Sequence, residues 1–187
     1  LKKTVRWVVG IVLGVYIGTI VLLNIPNIQQ AMSVFVAEEL SEVLNTKVVI
    51  GRINMGLLNR IIIDDVLLDD QSGQEMLKVT RLSAKFDIMP FFKGKISISS
   101  VQLFGFNINL RKETPDSPPN FKFVLDAFAS KDTVKKENSL DLRINSILIR
   151  RGRMSYHVLS EEETPGKFNA KHIQLQNIIA NISLKAL

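Results

Sequence analysis

The chain has 187 residues with 24 basic and 18 acidic side chains, a formal charge of +6, which leaves room for an apolar anchor and one domain, or two small domains. The basic excess is uneven, because Lys2, Lys3 and Arg6 precede the first acid, Glu38; the remainder lacks the clustered basic face that a nucleic-acid partner requires. Cysteine is absent, which excludes disulfides and thiolate chemistry and leaves the compartment open.

From Trp7 to Leu23 no residue carries a charge. At ~1.5 Å per residue the run spans about 25 Å, and its polar flanks Thr4 and Asn24 can extend it to membrane thickness. It is longer than the apolar region of a secretory signal peptide, and no A-x-A-like cleavage site follows. Lys2, Lys3 and Arg6 flank it on one side, and no basic residue follows until Lys47. Positive flanks stay in the cytoplasm. The expectation is therefore a single-pass anchor over residues 1–26, with a cytoplasmic N-terminus and the bulk of the chain translocated. Gly10, Gly14 and Gly18 fall on one stripe of that helix, a spacing that lets another membrane helix approach closely, although glycine is also simply common in membrane helices.

Residues 27–45 have helical periodicity. Ile28, Ala31, Met32, Phe35, Val36, Leu40, Val43 and Leu44 form one stripe, with Gln29, Gln30, Ser33 and three glutamates opposite. Asn45 is a left-handed stop signal. The acidic polar face argues against an anionic lipid surface, so the stripe is expected to pack over one end of a sheet.

From residue 46 to 187 the period changes to two. Leu82, Ala84, Phe86 and Ile88 alternate with polar residues, as do Phe104, Phe106, Ile108 and Leu110, then Leu140, Leu142 and Ile144, and then Ile178, Ala180, Ile182 and Leu184. Such alternation marks strands with one apolar and one wet face, the habit of antiparallel sheets. Phase shifts at Ser99-Ser100 and Asn145-Ser146 point to bulges. Turn signals occur at Asp70-Gln71-Ser72-Gly73, Lys93-Gly94-Lys95, Arg151-Gly152 and Thr164-Pro165-Gly166. Between strands, Phe121 to Ala129 has helical spacing with Asn120 as a cap candidate, and residues 130–139 form a polar loop. The last strand meets no terminating signal. An open edge there would be an aggregation hazard, so the natural chain is expected to continue.

Little in this pattern carries catalytic chemistry. Asp64, Asp65, Asp69 and Asp70 resemble a paired-acid metal motif, but on a strand Asp64 and Asp65 point to opposite faces, and a solvated strand end is the expected reading. His157 and His172, the only histidines, have no cysteine partners and assemble neither a zinc set nor a nucleophile–base pair. Arg150, Arg151 and Arg153 around Gly152 could touch lipid phosphates, but a solvated hairpin turn is the expected reading. No enzyme, metal site or cofactor is expected.

The order of motifs from Val48 to Arg111 resembles the N-terminal region of the TamB/AsmA-like family of Gram-negative envelope proteins. The resemblance rests on Asp65-Val66-x-Leu68-x-Asp70 before Gly73, then Pro90-Phe91-Phe92-Lys93-Gly94-Lys95-Ile96, then Leu103-x-Gly105-Phe106-x-Ile108-x-Leu110, and it extends to Pro119–Leu125. It implies a mainly β fold, an antiparallel sheet curved lengthwise into an open apolar groove, rooted in the cell inner membrane and spanning the periplasm. The implied function is phospholipid transport between inner and outer membranes. The alternative is a structural subunit of an outer-membrane translocation and assembly module, partnered through another region by an outer-membrane barrel protein. Family members are far longer, so residues 46–187 would be only the start of the groove. Leu82, Ala84, Phe86, Ile88, Phe104, Phe106, Ile108, Leu110, Leu140, Leu142 and Ile144 are its expected lining.

Overall fold

The computed structural model describes residues 2–56, 59–87, 96–129, 140–141 and 145–183. Helix α1 (Lys2–Leu23) follows from the charge-free run; it is long and apolar enough to cross a membrane, and none of it is buried against the rest of the chain. Ile25 is extended and Pro26, with its fixed φ, begins α2 (Pro26–Leu44). Asn45 ends α2 as anticipated. Its φ of 49° is left-handed, its N–H donates to Glu42 O, and Thr46 N–H donates to Ser41 O, satisfying two carbonyls the helix leaves open.

Helix α2 does lie over one end of the sheet, against β1 (Val48–Gly56), but it is rotated from the expected stripe. Ser33, 1% exposed, Gln29, Ala37 and Leu44 are buried, with Met32, Val36 and Leu40 beside them, whereas Phe35 and Val43 face outward. The reason is close approach. Ser33, Ala37 and Ser41 stand one turn apart and are small, and the Ser41 hydroxyl accepts from Val48 N–H at 3.0 Å. Gln29 is satisfied in place by donating to Asn24 Oδ1.

The sheet continues with β2 (Arg60–Asp69), β3 (Glu75–Phe86) and β4 (Ile96–Lys112) as an antiparallel meander. After helix α3 (Lys122–Ala129), β5 (Leu140–Asp141) and then β6 (Ser146–Val158) lie parallel to β4, and β7 (His172–Ser183) returns antiparallel to β6. The expected all-antiparallel sheet is thus corrected to a mixed one, because the long connection after Lys112 allows a crossover that a hairpin cannot. The sheet is open, with β1 and β7 at its two edges. The bulge expected at Ser99-Ser100 is present, since Lys85 pairs with Ser100 and Phe86 with Ile98. The turns at Gly73 (φ 78°) and Gly166 (φ 77°) form as expected. The turn Lys93-Gly94-Lys95, the loop 130–139, Ile88, Leu142, Ile144 and Leu184 lie outside the described residues.

A transverse crease crosses the sheet where no turn signal was expected to act within a strand. Asp65 (φ 56°), Gly105 (φ 62°) and Arg151 (φ 56°) are left-handed at one level of β2, β4 and β6, and Asn177 (φ 54°) follows in β7. Arg151 and Gly152 therefore make no hairpin; β6 runs straight through them. A left-handed residue in a strand presents two successive side chains to one face and advances the opposite face by three positions instead of two. The core reports that step in β2, where it joins Ile61 and Ile63 with Leu68 across Asp65, and β1 makes the same three-residue step from Ile50 to Ile53 without a left-handed residue of its own.

The second organising feature is Asp70, 2% exposed at the β2–β3 turn, where a solvated acid was expected. Its Oδ1 accepts from Ser72 N–H, Ser72 Oγ–H and Gln74 N–H, and its Oδ2 from Asn120 Nδ2 at 3.2 Å and Arg111 at 2.6 Å. Burial alone would raise this carboxyl's pKa, but the hydrogen bonds from Ser72, Asn120 and Gln74 together outweigh it and hold the pKa below its ordinary value. Asn120 does not cap α3. It bridges Arg111 N–H and Asn109 O on β4 and so ties the loop before α3 to the same carboxylate.

Candidate functional site: the open apolar face

Register partners share a face of a sheet, so the rows across it can be followed strand by strand. On the far side of the crease from α1 one row is Val48, Leu68, Leu77, Ile108, Met154 and Leu175. On the near side two rows run Ile53–Ile63–Leu82–Leu103–Ile149–Ala180 and Met55–Ile61–Ala84–Val101–Ile147–Ile182. This face is apolar from edge to edge. Its cover is not uniform. Helices α2 and α3 pack against the β1–β3 end of the face, so Val48 and Leu68 are 8% exposed while Leu175, at the other end of the same row, is 45% exposed.

Of the expected lining, Leu82, Ala84, Phe86, Phe106, Ile108 and Leu110 fall on this face. Phe104 does not. It pairs with Arg81 and Arg150 on the outer face, because left-handed Gly105 breaks the alternation between Phe104 and Phe106. The guanidinium of Arg151 lies 5.2 Å from the Phe104 ring centroid, a cation–π contact on the wet side. Leu140 pairs with Ile96 through its backbone, and Ile88, Leu142 and Ile144 lie outside the described residues. Val101, Leu103, Ile147, Ile149, Met154 and Leu175 belong to the face and were not expected there. The signal that could have found them is the glycine of Leu103-Phe104-Gly105-Phe106, where a three-residue step keeps Leu103 and Phe106 together.

The outer side of the crease is polar. Asp64 and Asp65 both line one depression there with Arg52, Thr80 and Arg81, contrary to the opposite-facing carboxylates expected of a regular strand. Arg81 Nε donates to Asp64 Oδ1 at 2.6 Å. Its hydrogen bond to Asp64, then the charges of Asp64 and Asp65, push the guanidinium pKa above its ordinary value. Asp64 is thus ion-paired, and Asp65 adds its charge to the same guanidinium.

Among the described residues nothing packs on Gly10, Gly14 or Gly18 of α1, since a Cβ at any of them would meet no atom within 4 Å beyond the helix's own backbone. At the other end of α1, the Asn24 side chain donates to Met55 O at 3.0 Å. That bond places the Met55 end of the Met55–Ile182 row beside the C-terminal end of α1. Comparison with family models, with curated proteins and with solved structures gives no match.

Proposed function

We propose that this chain is an inner-membrane-anchored protein whose apolar sheet face is the start of a groove carrying phospholipid acyl chains across the periplasm. The observation that carries this reading is the exposure gradient along Val48–Leu68–Leu77–Ile108–Met154–Leu175, an apolar row sealed by helices at one end and open at the other. A soluble two-layer domain would cover such a face, and an exposed apolar patch of this extent marks a ligand or partner surface. Each methylene laid on it contributes about 0.8 kcal/mol, without regard to head group. The Asn24–Met55 bond sets the face at the mouth of the anchor helix, where acyl chains would leave the bilayer.

A photo-reactive residue at Leu175, on the open part of the face, is expected to cross-link phospholipid in cells. The same residue at Phe104, 39% exposed on the outer face, is expected to give no adduct. Ile108→Arg should abolish the Leu175 adduct by placing a charge in the path, at a cost of several kcal/mol to any acyl chain passing it. Equal adducts at Leu175 and Phe104 would sink the proposal.

Topology has its own check. The native chain is free of cysteine, so Glu39→Cys, exposed on α2, is a single label site. It should react with a membrane-impermeant maleimide once the outer membrane is permeabilised and the inner one intact. Labelling only after inner-membrane lysis would reverse the orientation.

A further inference from the structure

The end of the sheet farthest from α1 carries a second constellation that the apolar face does not use. His157 and His172 close the β6–β7 hairpin as its last register pair, and their Nδ1 atoms are 3.0 Å apart. The connecting loop folds Glu163 back over them, with its Oε1 3.7 Å from His157 Nδ1 and 3.9 Å from His172 Nδ1. The three ligand-type atoms lie within 4.8 Å of one another. Sequence spacing hid this set because the histidines are 15 residues apart and only the hairpin register makes them neighbours.

We infer that His157, His172 and Glu163 form a binding site for a divalent transition metal of the zinc class, with a fourth position open to water. Around a tetrahedral ion with bonds of about 2.0–2.1 Å the ligand atoms stand about 3.3 Å apart, and the three observed separations bracket that value. One tautomer is prepared. His172 Nε2–H donates to the carbonyl oxygen of Glu161 at 2.9 Å, which leaves the Nδ1 lone pair aimed into the site, the outer-shell arrangement typical of metal-bound imidazole. His157 needs only to carry its proton on Nε2 for its Nδ1 to join. The loop is itself held in shape. Lys171 pairs with Glu161 at 2.7 Å and Asn169 Nδ2 donates to Glu162 O at 3.2 Å. Two imidazoles and a carboxylate suit zinc, cobalt or nickel rather than calcium or magnesium. A depression of about 400 Å³ lined by Thr164, Lys167 and Gln174 borders the group and admits the fourth ligand. Bound there, the ion would staple the β6–β7 hairpin at the end of the sheet remote from the membrane.

The test uses the whole chain, untagged and in detergent, titrated with Co²⁺ and then Zn²⁺ against a chelating dye. Because these are the only two histidines and there is no cysteine, any imidazole-dependent spectrum arises here. The expected result is one equivalent of Co²⁺ with a visible d–d spectrum, displaced by Zn²⁺, and a rise in the melting temperature on adding Zn²⁺. His157→Gln and His172→Gln, which keep a polar contact across the hairpin, should each weaken binding by about 100-fold or more, and Glu163→Gln by about 10-fold. Glu163 is 67% exposed in the loop, so its variant folds even where a histidine variant does not. Absence of a d–d spectrum, or Co²⁺ affinity that is unchanged in Glu163→Gln and in whichever histidine variant folds, overturns the assignment.

Discussion

Gly152→Ala is expected to destabilise the domain by about 2–3 kcal/mol, the upper range for forcing extra volume into a packed site. A Cβ added at Gly152 would lie 2.1 Å from Cζ of Phe106 and 2.4 Å from a second ring carbon. The ring cannot step aside, because Phe106 is 6% exposed in the row that includes Val79. Phe106 thus fills the space a side chain on Gly152 would otherwise occupy, an aromatic lid on a strand glycine. Removing the ring should relieve the clash. Phe106→Leu is destabilising alone, but in the double variant the two costs should fall short of their sum by about 1 kcal/mol or more. The measurement is chemical denaturation followed by far-ultraviolet circular dichroism. Tryptophan fluorescence will not serve, since the one Trp is Trp7 in α1, outside the sheet. Strict additivity of the two substitutions would show that the ring and the glycine do not depend on each other.

The Asp70→Asn variant should lose about 3 kcal/mol at neutral pH, the lower end of the cost of breaking a buried ion pair from one side. Every group around the carboxylate is a donor: two N–H groups and a hydroxyl at Oδ1, and Asn120 and Arg111 at Oδ2. An amide nitrogen in that ring would face donors whichever way it turned, and the mostly buried Arg111 would lose its counter-charge. The pH dependence follows from the lowered pKa. A carboxyl whose folded pKa lies below its unfolded value contributes stability that is complete above the unfolded value, near 3.8, and is lost as pH falls through the folded one. The stability gap between the native chain and Asp70→Asn should therefore be constant at neutral pH and narrow below about pH 4. A gap that persists undiminished in strong acid would mean that Asp70 acts through shape alone.

The parts of this protein legible in its sequence are those governed by near neighbours along the chain. The N-terminal apolar helix follows from a charge-free run between Lys2-Lys3-Arg6 and Pro26, because a helix closes its own hydrogen bonds within the segment. The stop at Asn45 and the turns at Gly73 and Gly166 follow from the few residue types that tolerate a left-handed backbone. Strand and helix content follows from period two and period 3.6. Other features depend on what each element meets. Helix α2 turned Ser33, Ala37 and Ser41 toward β1 in preference to its richest apolar stripe, because small side chains let the helix come within hydrogen-bonding reach of the strand. The parallel pairing of β4 with β6 was set by a crossover whose length permits either sense. The crease was hidden because three of its four left-handed residues are Asp65, Arg151 and Asn177, non-glycine residues inside strands of period two, and only the register of β2, β3, β4 and β6 brings Asp65, Gly105 and Arg151 to one level. The fourth, Gly105, moved Phe104 to the wet face and brought Leu103 to the apolar one. The His157–His172–Glu163 cluster was equally invisible, since it exists only in the register of β6 with β7 and the fold of the loop between them.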